Sequence, residues 1–142
     1  MDIATSLSVA ATFVWLGMVL GISFLEAPLK FRAPGVTLPI GLSIGRLVFR
    51  ALNAAEVVLA LVVAAGLLAG TPGGAAVVAF LVGVATLVAQ LVAVRPFLQR
   101  RSDAVLAGED APRSRAHLWY VGLELIKVVA LVVAGVLLLG GV

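Results

Sequence analysis

Thirteen consecutive apolar residues, Val57 to Ala69, follow the polar-headed segment GRLVFRALNAAE without a break. Only a bilayer or a deep core accepts such a run. A helix of that length rises about 20 Å, and a spanning helix needs roughly 20 residues. If this helix spans, Glu56 and the residues just before it must therefore lie partly inside the membrane. That requirement governs the reading of the whole chain.

The rest of the sequence supports a membrane fold. Of 142 residues, 63% are hydrophobic and 12% charged, against about 25% charged in a soluble domain. There is no cysteine, which excludes disulfides, thiolate metal sites and cysteine nucleophiles. A single histidine, His117, cannot build a multi-histidine metal or haem site, and no cofactor or metal is expected. Met1-Asp2 lacks the basic start of a secretory signal, so the first helix is expected to be retained.

The expected fold is all-α: one integral membrane domain, a four-transmembrane-helix bundle with spans at 3–25, 38–69, 75–94 and 117–141. Glu26 and Pro28 are read as ending the first helix, because proline lacks an amide hydrogen and disfavours a helical residue before it. Thr37 and Pro39 supply a capping hydroxyl and a first-turn proline for the second. Thr71-Pro72-Gly73-Gly74 is a turn. Arg95-Pro96 is read as closing the third helix, with 97–116 a solvated cytoplasmic loop that leaves room for a short surface helix. Gly17 with Gly21, Gly41 with Gly45, and Gly66 with Gly70 have the spacing that lets helices approach closely.

The basic residues set the expected orientation. Lys30 and Arg32 lie between helices one and two, and Arg95, Arg100, Arg101, Arg113 and Arg115 at or between helices three and four. The opposite side carries both termini and the short turn. The positive-inside rule then puts the basic side in the cytoplasm and both termini outside. Topology and attraction to anionic lipid headgroups account for the net charge of +3, so no nucleic-acid partner is expected.

Helices two and four resemble each other at a spacing of half the chain. Arg46 aligns with His117, Phe49 with Tyr120, Asn53 with Glu124, and Glu56 with Lys127. Two parallel hairpin repeats would produce this, and so would the ease with which Val/Leu/Ala/Gly strings match.

Arg46, Arg50 and Asn53 fall on one face of the second helix with Glu56 at its margin, and His117, Tyr120, Glu124 and Lys127 form a stripe on the fourth. A charge at the bilayer centre costs at least about 2.5–3.5 kcal/mol, so these groups should meet one another or a wet cavity. The expected pairs are Glu56 with Lys127 and Glu124 with Arg50 or Arg46, joined by Glu26. Such a cluster serves either as a structural ion-pair network or as a cytoplasm-facing pocket for an ion or small anionic ligand in a transport or channel-like protein. An accessory subunit of a larger membrane complex is the alternative, and association with other copies or subunits is expected. Catalysis has the least support, because metal-ligand spacing, a nucleophile elbow and a phosphate loop are all missing from the sequence.

Trp15-Leu16-Gly17, Phe24, Ala27-Pro28, Phe31 and Gly45-Arg46-Leu47-Val48-Phe49 together resemble a group of four-helix bacterial membrane proteins. The resemblance covers the first half of the chain and implies a multi-pass protein of the inner membrane. Copper-resistance-type membrane proteins are a more distant comparison, and this chain lacks the histidines and methionines that copper handling would imply.

Overall fold

A computed structural model describes residues 1–112 and 115–141. Four long helices make up the fold: α1 (Ile3–Arg32), α2 (Leu38–Ala69), α3 (Gly74–Leu106) and α4 (Arg115–Leu139), each long and apolar enough to cross a membrane. The chain is an all-α four-helix bundle and a multi-pass membrane protein. Its outer surface is apolar around the girth, where Val14, Leu61, Leu81 and Val129 are exposed; a surface of this kind is matched by lipid.

Local chemistry sets the helix ends. Asp2 caps α1 by accepting the Thr5 amide at 2.7 Å, and this bond holds its carboxyl below the usual carboxylate range. Thr37 caps α2, accepting from the Ile40 amide at 3.4 Å. The end of α3 is set by Gly108, whose φ of 88° suits a residue without a side chain. Beside it the Glu109 amide closes back on the Ala104 carbonyl at 2.9 Å, the glycine stop typical of helix C-termini.

Neither proline ends its helix, and this corrects the sequence reading at both places. α1 runs through Pro28 to Arg32, and α3 runs through Pro96 to Leu106. Each helix widens into a π-turn just before its proline, at Leu20–Glu26 and Gln90–Val94. The residue before each proline then bonds five residues back: Ala27 to the Ile22 carbonyl and Arg95 to the Gln90 carbonyl. The extra residue in the turn moves the carbonyl that the pyrrolidine ring would otherwise strike. Most of the stretch read as a solvated loop is therefore helix. Arg113, read as part of that connection, lies outside the described residues.

α1 packs mainly on α2 and α3 mainly on α4, and α1 also packs on α4. That leaves α2 and α4 across the bundle from one another. Trp15, Val19, Val63, Phe80, Leu87 and Leu131 fill the core between them. Ser8 and Thr12 are also buried, and both turn their hydroxyls onto backbone carbonyls of α1, Ala4 and Ser8, at 3.0 and 2.7 Å.

The glycines divide into two groups. A side chain added at Gly17 or Gly21 would meet nothing within 4 Å, so the close contact expected there is not present. Gly41 faces the Phe31 ring and Gly45 the Lys30 ammonium. The tightest backbone approach is at Gly66, where an added Cβ would lie 2.7 Å from the Ala4 carbonyl oxygen and against Ser8.

Candidate functional site

Two of the four helices present carboxylates to one lysine. Glu124 and Lys127 are three residues apart on α4 and so share a face. Glu56 reaches them from α2 across the core. The Lys127 ammonium lies 2.7 Å from Glu56 Oε1 and 2.7 Å from Glu124 Oε1, and all three side chains are at most 1% exposed. Burial this complete is tolerated because the charges are paired and hydrogen-bonded.

α1 and α3 supply the remaining partners. The Trp15 indole N–H donates to Glu56 Oε1 at 3.0 Å. The Ser23 hydroxyl donates to Glu124 Oε2 at 2.7 Å. Gln90 Nε2 donates to Glu124 Oε1 at 3.3 Å and to the Tyr120 carbonyl at 3.4 Å. Ser23 and Gln90 both sit in the π-turns, so the local widening of α1 and α3 carries the two side chains that hold Glu124. Glu56 Oε2 and Gln90 Oε1 are buried without a partner. Unsatisfied acceptors in a polar interior are ordinarily met by buried water.

Glu56 and Lys127 pair as expected from the sequence. Glu124 does not pair with Arg50 or Arg46. Arg50 is exposed, and Arg46 pairs with Asp103 on the extension of α3 at 2.8 Å. Glu26 stays out of the cluster and faces Lys30 one turn on, at 3.7 Å. Asn53 and His117 are half-buried. The inward line of α2 passes through Leu52, Glu56 and Val63, because burial against α1 sets the rotation of that helix. Arg50 is thereby turned outwards.

Trp15, Ser23 and Gln90 were not among the expected site residues. Trp15 and Gln90 carried a usable signal: an indole N–H and a primary amide inside uncharged runs need buried partners. Ser23 carried none, since a membrane serine usually bonds its own backbone. Among the described residues, no group of histidines, cysteines or carboxylates could hold a metal.

Substituting Trp15→Phe keeps most of the ring volume and removes the donor to Glu56. The expected loss is about 1–3 kcal/mol, read as a lowered unfolding midpoint in detergent or nanodiscs. A midpoint equal to that of the parent would show that the indole bond is idle.

The arrangement defines a multi-pass membrane bundle with a closed Glu–Lys–Glu chain at its centre. Compared with models of protein families, with curated proteins and with solved structures, the sequence matches none.

Proposed function

We propose that this chain is a small transport protein of the bacterial inner membrane, and that the Glu56–Lys127–Glu124 chain is its proton-binding centre. One observation carries the reading: two carboxylates share one ammonium in a site closed to solvent. Fully ionised, the trio has one negative charge in excess. A single proton held between the two acids makes it neutral, which a low-dielectric interior strongly favours. Intramembrane acids in such settings are the usual groups of proton relays.

Three further features support the reading. The partnerless acceptors Glu56 Oε2 and Gln90 Oε1 leave hydrogen-bonding capacity open beside the acids. The π-turns next to the site are local irregularities of the kind that accompanies functional positions. The distribution of basic residues supports an orientation with that end in the cytoplasm. Glu56 meets Lys127 and Phe49 meets Tyr120, ring edge to face at 5.8 Å. These contacts join positions 71 apart in the chain, a relation that supports a duplicated hairpin.

The purified protein, reconstituted in liposomes with an enclosed pH dye, is expected to carry protons down an imposed potential. Glu56→Gln and Glu124→Gln are each expected to lower the initial rate at least about tenfold, as loss of a relay group does. A parent rate no higher than that of empty liposomes, or parental rates in both variants, would refute the proposal.

A further inference from the structure

At the basic end of the bundle a second group of residues is assembled, adjoining the buried trio at Tyr120, whose carbonyl accepts from Gln90. Lys30 from α1 and Arg95 from α3 both lie over the Phe49 ring of α2, at 5.8 and 5.4 Å from its centroid. Arg95 also covers the Tyr120 ring of α4 at 5.6 Å. All four helices thus converge on two cations and two aromatic rings. The ring faces hold the cations by their quadrupoles without neutralising them.

Counter-charge is scarce here. Among the described residues Arg95 is in no ion pair, and Lys30 has only Glu26 at 3.7 Å. Yet the Lys30 side chain is 10% exposed, and Arg95 Nη2 is buried with no hydrogen-bond partner. The Tyr120 hydroxyl, on a residue 8% exposed, is buried as well, beside Glu124. A guanidinium donor left open in a half-desolvated place is costly unless an acceptor arrives from outside. Glu124 is engaged by Lys127 and Asp103 by Arg46, and Glu26, whose Oε2 has no hydrogen-bond partner, lies beside Lys30 and not Arg95 in the ion pairs of the described residues.

We propose that Lys30 and Arg95, held on Phe49, form a binding site for a phosphate-bearing anion. The donor set of a guanidinium fork and an ammonium suits a group with several acceptor oxygens and more than one direction of approach. A phospholipid headgroup and free phosphate share this chemistry. The site involves no proton movement at Glu56, so either reading stands or falls without the other.

The test uses the whole chain in dodecyl maltoside micelles, whose headgroups carry no phosphate, with two probes. In one arm inorganic phosphate is titrated and the unfolding midpoint followed. In the other, phosphatidylglycerol is added to the micelles, and lipid retained by the protein is weighed by native mass spectrometry. Binding in the first arm identifies a soluble phosphate ligand, and binding only in the second a lipid headgroup. Arg95→Gln and Lys30→Gln are each expected to weaken the productive arm about tenfold, the loss of one charge-assisted contact. Arg50→Gln, altering an exposed side chain, is expected to leave it unchanged. Should Arg95→Gln not fold, as judged by gel filtration, Lys30→Gln decides. Absence of binding in both arms, or parental binding by the folded variants, would overturn the assignment.

Discussion

Lys127→Met is expected to be among the most damaging single substitutions in the bundle, costing about 3–5 kcal/mol. The ammonium is the only cation between two carboxylates, at 2.7 Å from each, and none of the three is more than 1% exposed. Methionine fills much of the volume and leaves two buried acids facing each other with no positive charge. Both must then take up protons or repel. Glu56→Gln has a different consequence. It leaves Lys127 and Glu124 as a balanced pair, and the new amide can still accept from Trp15. The expected cost is about 1 kcal/mol, that of an ordinary hydrogen bond. Unfolding equilibria in nanodiscs measure both values. Equal losses for the two substitutions would remove the charge-balance argument, and with it the main support for a proton-binding centre. Combining the two should recover part of the Lys127→Met loss, because neighbouring charges do not act additively.

Gly66→Leu is expected to break the α1–α2 contact. Even a methyl group there would lie 2.7 Å from the Ala4 carbonyl oxygen, and backbone on the facing helix has little freedom to yield. The helices must separate, and Ser8, buried on the same face, loses its packing. Overpacking of this kind costs about 1–3 kcal/mol, occasionally more, and this site belongs at the upper end because the obstruction is backbone. Gly17→Leu provides the contrast. Nothing lies within 4 Å of its added side chain, so its unfolding midpoint should stay near that of the parent. A reversed order would show that α1 packs through its Gly17 face after all.

The comparison between these two glycines shows how far spacing alone can be read. Gly17–Gly21 and Gly66–Gly70 have the same separation, and only the second pair reaches a neighbouring helix. Spacing places two small residues on one stripe of a helix. The rotation of that helix in the bundle decides whether the stripe faces protein or lipid, and both surfaces are apolar here. The same rotation separated Arg50 from the cluster that its 3.6-residue phase had assigned it to, while Glu56 went to the core.

The prolines carry a related lesson. Pro28 and Pro96 each read as a stop, from the missing amide and the ring clash. Both helices instead absorb the ring with one extra residue in the preceding turn, as Ala27 and Arg95 bond five residues back. Proline chemistry is local and legible, but the remedy depended on packing. The widened turns bring Ser23 and Gln90 to Glu124, so tertiary contacts offset the irregular backbone.

The sequence by itself determined that four apolar helices would form and that Glu56 and Lys127 would lie too deep to remain unpaired. Run length against bilayer thickness, and the cost of a lone charge in hydrocarbon, fix both. Only the tertiary structure decided that one lysine would serve two glutamates, that Trp15, Ser23 and Gln90 would complete the shell, and that the arginines would stay outside it. Those outcomes depend on helix rotation and on which faces meet across the core. An apolar sequence surrounded by apolar solvent leaves that choice to the fit of side chains against one another.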